Sequence, residues 1–83
     1  MKYAITEEGI KTLSLLPKDI QRRILDKLDF LFNTQNPLKF SKRLDGFEYG
    51  DFRIRIGNYR ASFDVKGATA IFLRFGHRKD FYK

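Results

Sequence analysis

The second half of the chain alternates between apolar and polar side chains with a period of two residues. In "FRIRI", Phe52, Ile54 and Ile56 fall on one side of an extended strand, and Arg53 and Arg55 fall on the other. A turn at "GN" leads to "YRASFDV", and a turn at "KGA" leads to "TAIFLRF", both with the same alternation. Three such segments predict an antiparallel sheet with one face for a core and one face open to water.

The polar face of this sheet is predicted to be rich in arginine. In the third strand the alternation sets Phe72 and Arg74 opposite to Ile71, Leu73 and Phe75. The arginines predicted to share the polar face are Arg53, Arg55, Arg60, Arg74 and, if the parity continues past Gly76, Arg78.

The first part of the chain predicts the elements that cover the apolar face. "KYAIT" is typical of a short strand, and Thr6 is suited to cap a helix that runs to about Leu16. Pro17 begins a second helix with one apolar stripe, formed by Ile20, Ile24, Leu28, Leu31 and Phe32.

These elements predict an α+β fold in the order β-α-α-β-β-β. Two N-terminal helices pack on one face of a mixed, mainly antiparallel sheet of about four strands, and residues 1–83 form a single domain. The segment "NPLKFSKRLDGFEYGD" is expected to be one long connection, in which Lys39, Lys42 and Arg43 extend the basic surface.

Residue usage excludes several kinds of site. The chain has one His and no Cys, which excludes zinc sites built on Cys and His and any cysteine nucleophile, so no metal or cofactor is expected. No apolar run reaches the roughly 20 residues that cross a bilayer, and the first residues do not resemble a signal peptide. We therefore expect a cytoplasmic protein.

The positive charge is concentrated in the second half. Up to Asn36 six Lys or Arg oppose five acidic residues, whereas from Pro37 onward eleven oppose five, within a net charge of +7. A field of this sign attracts polyanions, of which nucleic acid is the commonest.

The segments "LDGFEYGDFRIRIGNYRASFDV" and "FLRFGHRKDFYK" resemble the RelE/ParE superfamily of type II toxins. The resemblance lies in an arginine-bearing strand, a G-x-Y-R turn and a closing G-H-R segment followed by Tyr. It implies a fold like that of microbial ribonucleases. RelE-like members cleave mRNA in the ribosomal A site and are partnered by a RelB-like antitoxin, whereas ParE-like members act on DNA gyrase.

Carried over to this chain, the RelE-like pattern implies a ribonuclease whose nucleophile is the 2′-hydroxyl of the mRNA itself. It implies Arg60, Arg78 and Tyr82 as catalytic residues, with Arg60 stabilising the phosphorane, Arg78 neutralising the leaving oxygen and Tyr82 near the 2′-hydroxyl. The residues expected to bind RNA phosphates are Arg53, Arg55, Arg74, Lys79 and Lys83.

Two other functions stay open from the sequence. The first is a ParE-like gyrase inhibitor or a non-catalytic toxin that binds only its antitoxin. The second is a general RNA-binding domain, which would expose aromatic side chains between the basic ones, and the alternation offers only Phe72 there. His77 has a suitable pKa for a base, but the alternation sets it opposite Arg78, which favours a packing or hydrogen-bonding role. Phe81 is expected to pack against the core.

Overall fold

A computed structural model of the chain describes residues 1–43 and 49–81, and it confirms the α+β class. The helices are α1 (Glu7–Ser14), α2 (Lys18–Phe32) and a short 3₁₀ helix (Pro37–Phe40). The strands are β1 (Lys2–Ile5), β2 (Ser41–Arg43), β3 (Phe52–Ile56), β4 (Tyr59–Lys66) and β5 (Thr69–His77). Within these described ranges, no helix is long and apolar enough to span a membrane.

The strands form one mixed sheet in the order β1-β5-β4-β3-β2. β1 runs parallel to β5, and the other neighbours are antiparallel. The sheet has five strands where four were expected, because the start of the predicted connection forms the 3₁₀ helix and β2. β2 has only three residues, which is too short for its alternation to be recognised in the sequence.

The helices begin where the capping residues predict. The Thr6 hydroxyl accepts a hydrogen bond from the Gly9 amide at 3.0 Å, and Pro17 directly precedes α2. From the α2 stripe, Ile24, Leu28 and Leu31 are buried in one core with the apolar face of the sheet. The helices therefore cover one side of the sheet, as expected.

The alternation fails at one point, a β-bulge in β5. Ser62 pairs with Arg74, but the next residue of β4, Phe63, pairs with Phe72, so Leu73 has no partner in the register. The extra residue reverses the alternation, so Phe72 faces the helices and is fully buried while Arg74 lies on the opposite side. The prediction that Phe72 shares a face with Arg74 is wrong for this reason.

The bulge also changes which residues of β5 build the core. Ala70, Phe72 and Phe75 are buried in it, whereas Ile71 and Leu73 are only half-buried and lie outside it. The expected apolar trio of Ile71, Leu73 and Phe75 is thus correct only at Phe75.

Helix α1 contacts the bulged strand, β5, directly. The Thr12 hydroxyl accepts a hydrogen bond from the Phe75 amide at 3.0 Å and donates one to the Gly9 carbonyl at 2.8 Å. Gly9 lies so close to β5 that a Cβ atom there would be 2.8 Å from the Phe72 carbonyl oxygen and 2.9 Å from Ile5 Cγ2. The absence of a side chain at Gly9 is what lets the helix approach the strand.

We expect Gly9→Ala to destabilise the protein, although alanine favours a helix by about 1 kcal/mol over glycine. The new methyl group meets a backbone carbonyl that cannot rotate away, and such overpacking costs about 1–3 kcal/mol. Urea unfolding should show a net loss for Gly9→Ala, and Ser14→Ala in the exposed last turn of α1 is the control. A gain of stability from Gly9→Ala would contradict the close approach.

A second set of contacts joins β1 to α2. The Tyr3 hydroxyl donates a hydrogen bond of 2.6 Å to the Asp29 carboxylate, and the Tyr3 ring packs 5.4 Å from the Phe32 ring. Burial of the phenol, followed by the hydrogen bond and the charge of Asp29, raises the pKa of Tyr3 to about 12. The folded protein thus favours the protonated phenol.

This raised pKa predicts a loss of stability in alkaline solution. Tyrosine in the unfolded chain ionises near pH 10, so the stabilisation is complete below about pH 10 and is lost as the pH rises towards about 12. Unfolding free energies of the wild type and Tyr3→Phe should therefore converge across that interval, with the wild type more stable at neutral pH. A difference that does not change with pH would contradict the role of the hydrogen bond.

Candidate nucleic-acid interface

The side of the sheet away from the helices carries the predicted arginines. The register aligns Arg53 of β3, Ser62 of β4 and Arg74 of β5 in one row across the sheet. The next row pairs Arg55 with Arg60. We call this side the basic face, and its cations are Lys42, Arg53, Arg55, Arg60 and Arg74.

Two cross-strand pairs on the basic face join cations to cations. Lys42 lies directly opposite Arg53, and Arg55 lies directly opposite Arg60. Like charges in such positions repel and destabilise a sheet. In the described part of the chain, no carboxylate lies within ion-pair distance of Arg55 or Arg60. The pairing of Arg55 with Arg60 therefore costs stability and creates a local positive potential.

The Arg60 side chain is held in one orientation at the end of the sheet. Its guanidinium donates hydrogen bonds to the carbonyl oxygens of Tyr59, at 3.0 Å, and Gly57, at 3.2 Å. These bonds use one guanidinium nitrogen, Nη1, so the other N–H groups stay available to an anion. Arg55 beside it is exposed.

The Arg74 side chain is held between two aromatic rings. Its guanidinium carbon lies 4.4 Å from the centre of the Tyr49 ring and 5.4 Å from that of Phe81. Phe81 is 1 % exposed, but it lies outside the helix-side core. A Cβ atom at Gly76 would lie 3.3 Å from Phe81 Cδ1, which places this ring over the basic face. Phe81 is buried as expected, but on the side of the sheet opposite to the core.

The residues after β5 fold back in a hydrogen-bonded turn. The His77 carbonyl accepts hydrogen bonds from the amides of Asp80 and Phe81, both at 2.9 Å. The Arg78 amide donates to the Asn58 carbonyl at 2.8 Å and so continues the register by one residue, with the Arg78 side chain exposed. Lys79 is also exposed, whereas Tyr82 and Lys83 lie outside the described residues.

His77 has a hydrogen-bonding role at the strand end. Its Nδ1 accepts from the Lys79 amide at 3.1 Å, and its ring packs edge-on against Tyr59 with centroids 5.2 Å apart. The backbone of the following turn thus holds the His77 ring at the end of β5.

Ser62 is a buried polar residue in the middle of the basic face. It is fully buried, and its hydroxyl has no hydrogen-bond partner among the described residues. Buried hydroxyl groups are normally paired. The row of Arg53, Ser62 and Arg74 thus contains an unused donor between two cations.

A hollow of about 470 Å³ opens beside the basic face, and one of its walls is an aromatic residue that the alternation missed. Phe40 is 44 % exposed and ends the 3₁₀ helix just before β2. Phe40 lies two residues before Lys42, and this spacing is the only feature of the sequence that could have indicated that Phe40 borders the basic face. The hollow is lined by Phe40, Lys42, Arg53, Ile54, Arg55 and Arg60. Arg43, expected to extend the basic surface, instead lies over the Phe52 ring.

Comparison with known proteins agrees with this fold. Residues 3–82 match the family described as the ParE toxin of type II toxin–antitoxin system, parDE. The chain is 36 % identical to Toxin RelE3 of Methanocaldococcus jannaschii, over 99 % of this chain and 96 % of that protein.

Two solved complexes contain a chain of similar structure. A chain of the toxin–antitoxin complex RelBE2 from Mycobacterium tuberculosis matches with a TM-score of 0.75 and 26 % identity, over 93 % of this chain and 96 % of that one. A chain of the RelB–RelE antitoxin–toxin complex from Methanococcus jannaschii matches with a TM-score of 0.70 and 34 % identity, over 100 % and 96 %. The chain therefore belongs to the RelE/ParE superfamily of type II toxin–antitoxin toxins.

The contacts of Arg74 predict that its replacement has a structural cost. We expect Arg74→Lys to lower the free energy of unfolding by about 1 kcal/mol, because an ammonium group cannot stack its plane on Tyr49 and Phe81. Arg55→Lys, at an exposed position of the same face, should change it by less than about 0.5 kcal/mol. Denaturant unfolding of both variants checks this, and equal effects would mean that the two rings contribute nothing.

Proposed function

We propose that this toxin is a RelE-like endoribonuclease that cleaves mRNA in the ribosomal A site and so inhibits translation. The observation that carries the proposal is the like-charge contact of Arg55 with Arg60 on the basic face, where no carboxylate of the described residues lies within ion-pair distance. A surface without a polyanionic partner gains nothing from this repulsion, whereas a bound RNA phosphate would relieve it. The name of the Methanocaldococcus jannaschii relative supports the RelE-like branch.

In the proposed reaction the protein supplies charge and position rather than a nucleophile. The ribose 2′-hydroxyl attacks the adjacent 3′ phosphorus, the bond to the 5′ oxygen of the next nucleotide breaks, and a 2′,3′-cyclic phosphate results. Negative charge develops on the phosphorane oxygens during this step. Fixed donors aimed at such charge contribute roughly 3–4 kcal/mol each.

Arg60 is suited to stabilise that charge. Two carbonyl oxygens already fix the position of its guanidinium, so little entropy is lost when an anion binds. Arg55, directly across from it, adds a second exposed guanidinium. Arg53 and Arg74 lie one row further from the turn and would hold neighbouring phosphates.

Arg78 and Tyr82 would complete the reaction. Arg78 is exposed at the end of the same register and would neutralise the negative charge on the leaving 5′ oxygen, which takes up a proton in the same step or from water. Tyr82, as the resemblance implies, would accept the proton of the 2′-hydroxyl or stack on a base. Lys79 and Lys83 would add affinity for phosphates.

The ribosome has a physical role in this scheme. His77 Nδ1 already accepts a hydrogen bond from the Lys79 amide, so we assign no role to this ring as the base that takes the 2′-hydroxyl proton. Orientation of the 2′-hydroxyl for in-line attack must then supply much of the rate, and a ribosome-bound mRNA is held in a fixed geometry. Free RNA should be a poor substrate for the same reason.

The proposed protein partner is a RelB-like antitoxin. Both solved complexes named above pair a toxin with an antitoxin, and this chain matches a chain of each over most of its length. A strongly basic toxin suits an acidic chain that folds as it binds.

A modified mRNA tests the reaction directly. On a ribosome programmed with mRNA that has a single 2′-deoxy nucleotide 5′ of the scissile phosphate, cleavage at that position should vanish because the attacking hydroxyl is missing. Unmodified mRNA should yield a product with a 2′,3′-cyclic phosphate. Arg60→Gln should cut unmodified mRNA about a hundredfold more slowly, while its thermal stability stays within about 0.5 kcal/mol of the wild type.

Two outcomes would reject this function. Cutting at the deoxy position would mean that water or a side chain attacks. No cutting of either mRNA, together with inhibition of purified DNA gyrase, would establish instead the ParE-like function that the description of the matched family suggests.

A further inference from the structure

We propose that the hollow beside β2 binds one nucleotide of single-stranded RNA, with its base stacked on Phe40 and its phosphate held by Lys42, Arg53 and Arg55. This inference rests on the proposed function, because it assigns a substrate contact to the same basic face. It goes beyond that function by adding a base-stacking residue outside the group of arginines and the tyrosine.

The shape of the hollow suits a single nucleotide. Its volume of about 470 Å³ falls within the range of about 300–1,000 Å³ that small-molecule sites occupy. One wall is the exposed Phe40 ring, and another is the end of β3 at Arg53 and Arg55. Phe40 directly precedes Ser41, which pairs with Ile54, and Phe40 and Arg55 both line the hollow, so a base and its own phosphate could contact both at once.

The charge of the hollow distinguishes it from a larger depression of the described surface. Four of its lining residues are cations, and no carboxylate is among the described residues that line it. The other depression, about 960 Å³ between α2 and the end of β3, contains the carboxylates Asp19 and Asp26 beside its cations. The hollow at Phe40 thus combines an aromatic wall with several cations and no carboxylate among its described lining, which suits an anionic, aromatic ligand.

The aromatic residue favours RNA over an acidic peptide. An acidic peptide would need only the cations, whereas every nucleotide base has a flat face that gains from stacking on an aromatic ring. The two parts of a nucleotide thus match the two parts of the hollow. A single strand is required because the bases of a duplex are already stacked on each other.

Phe30 provides a matched control on the same protein. It is exposed, at 63 %, and Lys27 lies 5.6 Å from its ring centre, much as Lys39 lies 5.1 Å from the ring centre of Phe40. Phe30 lines the mixed-charge depression instead of the hollow. A general effect of removing an exposed aromatic residue would appear equally in both variants.

The experiment measures binding of a short, fully 2′-O-methylated RNA, which cannot be cut, by fluorescence anisotropy at several salt concentrations. We expect Phe40→Ala to weaken binding about tenfold without changing the salt dependence, because stacking releases no counterions. Phe40→Trp should restore affinity, and Phe30→Ala should leave it unchanged. Arg55→Ala should lower affinity and reduce the slope of log affinity against log salt by about 1.

An abasic RNA separates stacking from charge. When abasic sites replace the bases, the wild type should lose about as much affinity as Phe40→Ala loses with normal RNA, and Phe40→Ala should lose little more. Equal affinity of Phe40→Ala and the wild type for normal RNA would overturn the stacking site. Loss of antitoxin binding by Phe40→Ala, with RNA binding intact, would overturn it in favour of a protein interface.

Measurements of mRNA cutting and of RNA binding together distinguish failure of the proposed function from failure of the nucleotide site. If the wild type never cuts ribosome-bound mRNA but Phe40→Ala still weakens RNA binding, the nucleotide site stands and the nuclease proposal fails. If the wild type cuts and Phe40→Ala binds and cuts normally, the nuclease proposal stands and the nucleotide site fails.

Discussion

The arrangement of the whole sheet depends on the contact of α1 with the bulge in β5. The Thr12 hydroxyl accepts a hydrogen bond from the Phe75 amide, and the missing side chain of Gly9 lets α1 approach the Phe72 carbonyl. The unpaired Leu73 turns Phe72 into the core while Arg74 stays on the opposite side. Without this bulge, either Phe72 would face water or Arg74 would enter the core, and both changes would cost stability. One local irregularity thus lets a single strand serve two chemically different faces.

The two sides of the sheet contribute to stability with opposite signs. On the helix side, rings such as Phe32, Phe63 and Phe72 pack with centroids 4.7–6.2 Å apart and stabilise the fold. On the other side, opposed cations subtract from that stability. The aromatic core is what allows this small chain to tolerate that cost.

Local signals in the sequence predicted most of the fold. The cap at Thr6, the break at Pro17, the stripe of α2 and the alternation of β3 and β4 depend on neighbouring residues, and each was confirmed. The bulge could not be predicted, because the hydrogen bond that supports it joins Thr12 to Phe75 across most of the chain. Phe40 was missed since β2 is too short to show a period. The grouping of Arg53, Arg55, Arg60 and Arg74 was correct because Arg74 follows the bulge and adjoins Phe75, whose side of the sheet was predicted correctly.

The parallel pairing of β1 with β5 determines when the sheet can be completed during synthesis of the chain. Lys2 of β1 lies beside Thr69 of β5. The first strand to be synthesised, β1, therefore has no neighbour in the sheet until β5, the last strand, has been made. Such pairing between distant parts of a chain gives a high contact order, which slows folding. A nascent chain that still lacks β5 has no partner for β1 and no Arg74 on the basic face. The complete charged surface therefore forms only after nearly the whole chain has been made.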